Sequence, residues 1–213
     1  MSTSVLLVID VQNDFLPGGA LAVPCGDEVV PIINALSRKF ENVILTQDWH
    51  PPQHISFAST HPGKSPFETI ELPYGPQVLW PTHCVQGTHG AALADALKIF
   101  HAHAVIRKGH RSDVDSYSAF MEADRTTRTG LASLLHERDI KEVYCCGLAT
   151  DFCVAWSALD ARGAGFEAFV IEDACRAIDQ NGSLAEARQR MIDAGVSLIS
   201  LLSLDATTIE ARR

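Results

Sequence analysis

Three apolar runs each end at a side chain capable of covalent or acid–base chemistry. SVLLVID stops at Asp10, HAVIRKG reaches Lys108, and KEVYCCGLATDFC arrives at Cys153. A thiol becomes a nucleophile once its proton is removed; Asp10 can accept that proton and Lys108 can balance the anions left behind. A second group offers oxygen and nitrogen ligands. Asp48 and His50 are one residue apart, so in extended backbone both side chains leave the same face and can chelate one ion, with His83 as a third ligand. Two imidazoles and a carboxylate leave positions open for water or substrate, the pattern of a catalytic metal site. Zinc is the default divalent ion, with iron and manganese as alternatives. His54 and Ser56 are close enough in sequence to be further ligands or outer partners.

What must position these groups is a parallel sheet, because strands buried in one deliver the residues at their carboxyl ends to a shared edge. Apolar runs bounded by turn signals recur at 5–9, 43–46, 104–107, 142–146, 167–171 and 197–201, and several are rich in Val and Ile. Between them, helical spacing predicts helices in EVVPIINALSRKF from Glu28, HGAALADALKIF from His89, TGLASLLHERD from Thr129, DFCVAWSALDARG from Asp151 and SLAEARQRMIDAG from Ser183, with Gly163 and Gly195 as carboxyl-terminal glycines. Strand alternating with helix implies a doubly wound α/β fold, with a six-stranded, mostly parallel sheet and helices on both faces.

In CCGLATDFCV the strand should end near Gly147, and Thr150 or Asp151 is suited to cap the next helix. Cys153 then lies in a first turn, where unpaired amides and the positive dipole end pull a thiol of ordinary pKa, about 8.5, toward thiolate. The same amides can hold an oxyanion. From Gln47 to Gly87 the rhythm breaks: no long periodic segment occurs, and seven of the ten prolines fall there. A loop of that length inside a compact domain is usually functional.

The 213 residues, 46% hydrophobic and 20% charged, suit a single domain over 1–213 in which the 47–87 loop carries the metal site. A formal charge of -9 repels phosphate backbones and anionic lipid, so neither nucleic acid nor a membrane is expected as a partner. The opening MSTSVLLVID lacks a basic region and its apolar run is too short for a signal peptide. Six scattered cysteines fit free thiols in a reducing cytoplasm. Self-association into a homo-oligomer is left open.

The segments VIDVQNDFLPGGAL, TQDWHPPQHISFAS, LWPTHCVQGT, RKGHRSDVDSYSAF and CGLATDFCV, in this order, resemble the nicotinamidases of the isochorismatase-like cysteine hydrolase superfamily. The resemblance runs from residue 5 to about residue 175. It implies hydrolysis of nicotinamide to nicotinate and ammonia through a cysteine thioester, often with acceptance of pyrazinamide, and a place in NAD salvage. It implies Cys153 as nucleophile, Asp10 as general base, Lys108 as the cationic third member, and Asp48, His50 and His83 as ligands of one divalent metal ion. It places a cis peptide at Leu148–Ala149, turning the Ala149 and Cys153 amides into an oxyanion hole, and it makes Phe15, Trp80 and Tyr117 the walls of the substrate pocket. Ser56 stands where some relatives carry a histidine ligand, which leaves a fourth ligand open. Two rival readings are a metal-free relative acting on isochorismate, a ureido acid or an N-carbamoyl amine, and a binding protein that keeps the fold without turnover. The intact acid, amine and thiol, together with Asp48, His50 and His83, speak against both.

Overall fold

The computed structural model describes residues 2–204. In chain order the strands are β1 (Ser4–Ile9), β2 (Asn42–Asp48), β3 (Thr69–Leu72), β4 (Gly75–Val78), β5 (Ala104–Lys108), β6 (Glu142–Leu148), β7 (Glu167–Arg176) and β8 (Ser197–Ile199). Six of them form one sheet in the order β5-β2-β1-β6-β7-β8, each neighbour paired parallel. Residues 5–9 of β1 are all buried, which is why that strand reads as an unbroken apolar run and does not alternate. Helices α1 (Val29–Ser37), α2 (Leu131–Glu137), α3 (Ala155–Gly163) and α4 (Ser183–Asp193) connect the strands and cover both faces.

The strand order makes β1 the pivot. From β1 the chain steps outward to β2 and β5, then returns to β6 on the other side, so the connections leaving β1 and β6 part company. A crevice opens at such a switch point, beyond the carboxyl ends of the strands. Register decides what meets there: Asp48 pairs with Lys108, and Ile9 pairs with Gly147, which brings Asp10 alongside the exit of β6. Gly147 has φ +116 and a Cβ built on it would lie 2.1 Å from the Ile9 carbonyl oxygen, so the two strand ends approach this closely only without a side chain.

Several sequence expectations need correction. The segment from His89 is not a helix. Its carbonyls are committed to the loop after β1: the amides of Asn13 and Asp14 donate to the carbonyls of Ala92 and Gly90, and the side chains of Gln12 and Gln47 both donate to Ala91. A helix would need those carbonyls internally. The long excursion after β2 is not wholly loop either, since β3 and β4 form an antiparallel hairpin within it. The left-handed residue closing α3 is Gly165, not Gly163; the Phe166 amide bonds the Ala161 carbonyl and the Gly165 amide that of Arg162. Gly195 closes α4 in the same way. The last strand ends at Ile199, two residues short of its expected limit.

Candidate active site

Asp10, Lys108 and Cys153 come together in the crevice. Lys108 is fully buried, and its ammonium lies 2.8 Å from Asp10 Oδ2 and 3.4 Å from Cys153 Sγ, bonds the Ser116 carbonyl at 3.1 Å, and is ion-paired with Asp48. Asp10 sits just past β1 with φ 48, and its other oxygen accepts the Thr46 hydroxyl at 2.6 Å. One lysine therefore bridges the would-be base, the would-be nucleophile and the first would-be metal ligand.

Cys153 is not in the first turn of a regular helix. A π-helical turn, Thr150–Val154, precedes α3, and Ala149 occupies the cap position. Asp151 caps nothing: its carboxylate accepts the amides of Ile178 and Asp179 and the Ser183 hydroxyl, pinning the loop after β7 beside the cleft. The Leu148–Ala149 peptide is cis, at the position the resemblance implies. The expectation of a lowered thiol pKa also fails. Burial pushes the Cys153 thiol well above its ordinary value; the Lys108 ammonium opposes this, while Asp10 and Asp48 reinforce it. The resting group is thus a thiol, with a carboxylate beside it to receive the proton.

Asp48, His50 and His83 bring their ligand atoms within 4.8 Å of one another. Each imidazole uses Nδ1–H to bond a backbone carbonyl, His50 to Gly109 at 2.9 Å and His83 to Pro81 at 2.8 Å. That leaves both Nε2 atoms facing Asp48 Oδ2, at 3.6 and 3.7 Å. Imidazoles oriented by backbone acceptors, with the other nitrogen turned toward a shared point, have the second-layer arrangement of metal-binding histidines. Burial opposes ionisation of Asp48, but Lys108 and His50 hold its carboxyl well below the usual range, so it is an anion.

His54 and Ser56 are bonded to each other, Nδ1 to Oγ at 2.7 Å, and His54 Nε2–H donates to the Val114 carbonyl at 3.0 Å. Burial, then the neighbouring His50, holds His54 down to about 4. Because the folded chain resists protonation there while the unfolded chain takes a proton near 6.5, the contribution to stability is complete above that pH and is lost as pH falls from 6.5 toward 4. Over that interval the metal-free protein is expected to lose up to about 3 kcal/mol more stability than its His54→Gln variant, measured by urea unfolding at both ends.

The cleft above these groups has a volume of about 350 Å³ including its mouth. Phe15, Trp80 and Tyr117 line it together with Ala149 and Cys153, so the expected wall residues share one space. Trp80 Nε1–H donates to the Tyr117 hydroxyl at 3.0 Å, and Phe152 meets Trp80 edge-on with ring centroids 4.9 Å apart. Sequence reasoning missed Phe152, Asp115 and three residues that hold the site from behind. Gln12 is the first: its side chain donates to the Asp48 carbonyl and accepts the Asp48 amide, both at 2.8 Å. Thr46 grips Asp10. Gly109 completes the set, because a Cβ there would lie 2.4 Å from the His50 ring. Only Gly109 carried a signal, as a glycine directly after a strand.

A family model described as the Isochorismatase domain matches residues 4–201. The chain belongs to the isochorismatase family. A nicotinamidase of Acinetobacter baylyi is 60% identical over 195 residues, spanning 92% of this chain and 91% of that protein. The solved structure of an Acinetobacter baumanii nicotinamidase and pyrazinamidase, also 60% identical, superposes with a TM-score of 0.95 over 96% of this chain and 99% of that one. A Pyrococcus horikoshii pyrazinamidase, solved in complex with zinc, is 34% identical with a TM-score of 0.78, covering 94% and 100% of the two chains.

Proposed function

We propose that this chain is a metal-dependent amidohydrolase that converts nicotinamide to nicotinate and ammonia through a thioester on Cys153. The observation that carries the reading is that Cys153 Sγ lies 3.4 Å from an ammonium ion-paired with Asp10, at the floor of an aromatic cleft that also holds Asp48, His50 and His83. A flat ring with one carboxamide suits such walls, and pyrazinamide, which differs in ring nitrogen only, suits them equally.

The thiol proton passes to Asp10 as the sulfur attacks the carboxamide carbon. Lys108 keeps the new thiolate and the two carboxylates from repelling one another. A C–S bond forms, and the negative charge on the former carbonyl oxygen is met by the Ala149 and Cys153 amides. As the C–N bond breaks, Asp10 returns its proton to the leaving nitrogen, and ammonia departs. Water, deprotonated by Asp10, then splits the thioester to nicotinate and free thiol. Burial of Asp10, which raises its pKa while Lys108 works against the rise, suits a group that must take and return one proton.

Asp48, His50 and His83 would hold the metal, zinc by donor set and by likeness to the zinc-bound relative. When bound it supplies a Lewis-acidic anchor for the ring nitrogen. Dialysis against a chelator is therefore expected to reduce nicotinamide hydrolysis by roughly a hundredfold or more, with recovery on adding zinc. Full activity in demonstrably metal-free protein would instead favour a metal-independent relative. A cytoplasmic setting goes with this reading, since Cys25, Cys84, Cys145, Cys146, Cys153 and Cys175 are all free thiols. Among the described residues no helix is long and apolar enough to cross a membrane.

A further inference from the structure

Asp115 has no part in the chemistry above, yet it is a carboxylate only 2% exposed on the wall of the same cleft. Both groups that bond it are neutral: Gln77 Nε2–H donates to Oδ2 at 2.7 Å, and the Ser116 amide donates to Oδ1 at 2.8 Å. Each carboxylate oxygen can accept a second donor, so half of its capacity is uncommitted. Its histidine neighbours do not use it. Asp115, His50 and His54 have ligand atoms within 4.8 Å of one another, but His50 Nδ1–H is given to Gly109 and His54 Nε2–H to Val114. A buried carboxylate in that position calls for a cation or strong donors opposite.

The charge around it points the same way. Asp10, Asp48 and Asp115 present three carboxylates to the cleft floor and wall against the single ammonium of Lys108. A divalent ion in the Asp48–His50–His83 site would balance the excess. The hairpin also gains a purpose, since Gln77 lies on β4, is 1% exposed, and is itself steadied by the Tyr74 hydroxyl at 3.0 Å.

We propose that Asp115, held by Gln77 of the β3–β4 hairpin, is a positioning residue that secures the divalent ion of the Asp48–His50–His83 site from its outer layer, as a second carboxylate charge beside the ligand set. This rests on the metal site of the proposed function. The test is zinc affinity, measured by competition with a chromogenic chelator, for the wild type, Asp115→Asn, Gln77→Ala and Asp48→Asn. Asp115→Asn is expected to weaken zinc binding by about 10–100-fold, the range for loss of an outer partner, and Gln77→Ala to weaken it less. Gln77→Ala retains the carboxylate and decides the matter if Asp115→Asn does not fold. Wild-type zinc affinity in the folded variants would overturn the inference, as would a raised KM for nicotinamide at saturating zinc with zinc affinity unchanged, which would assign Asp115 to the substrate. If the wild type binds no zinc, or Asp48→Asn binds it as tightly as the wild type, the metal site itself fails.

Discussion

Cys153→Ala is expected to slow ammonia release from nicotinamide by at least about four orders of magnitude, the scale seen when a covalent nucleophile is removed. The remaining groups cannot substitute for it. Asp10 could deprotonate water in place of the thiol, but with no covalent acyl intermediate the amide must be cleaved by a weak, poorly placed nucleophile. The loss should be kinetic and not structural. Removing one buried sulfur leaves a small gap beside Ala149 and Phe152, worth about 1 kcal/mol, so urea unfolding of the variant should stay close to wild type. Activity within tenfold of wild type in a protein verified as Cys153→Ala would remove the thioester from the account.

Lys108→Ala is expected to damage both stability and rate. Its ammonium is fully buried, 2.8 Å from Asp10, and bonded to Asp48 and to the Ser116 carbonyl. Removing it leaves two carboxylates facing each other out of water, and breaking a buried pair in this way costs about 3–5 kcal/mol. The rate should fall by a thousandfold or more, because nothing then offsets the thiolate formed beside those carboxylates. Stability and catalysis can be separated. In Lys108→Met combined with Asp10→Asn, one of the two carboxylates left facing each other is neutralised along with the lysine, and the lysine's volume is kept. Part of the lost stability should return with no return of activity, as expected for groups whose effects are coupled. Equal stabilities for the single and double variants would mean that the lysine holds the carboxylates apart less than the geometry indicates.

The same geometry explains what sequence could and could not convey. Asp10, Lys108 and Cys153 were legible because each follows an apolar run, and in a parallel sheet such runs end at one edge. Asp48 and His50 were legible because alternate residues of extended chain share a face. Register then did what no local pattern announces, pairing Asp48 with Lys108 and Ile9 with Gly147. Gln12, Thr46 and Asp115 act through partners between 36 and 38 residues away, so their neighbours in sequence gave no hint. The segment from His89 misled for a related reason. Its apolar spacing is that of a helix, but its carbonyls bond the loop after β1, and tertiary hydrogen bonds outweigh a propensity of a few tenths of a kcal/mol per residue. The thiol's pKa was misjudged because a dipole argument omits burial and two adjacent carboxylates.

The most direct test is to find the acyl group. Wild-type protein mixed with excess nicotinamide, quenched in acid during turnover and digested for mass spectrometry should carry a nicotinoyl group on the peptide containing Cys153 and on no other. Deacylation in heavy-oxygen water should then place the label in nicotinate and none in Asp10. A nicotinoyl group on a different residue, or label in the Asp10 carboxylate, would contradict the central claim that Cys153 is the nucleophile and Asp10 its base.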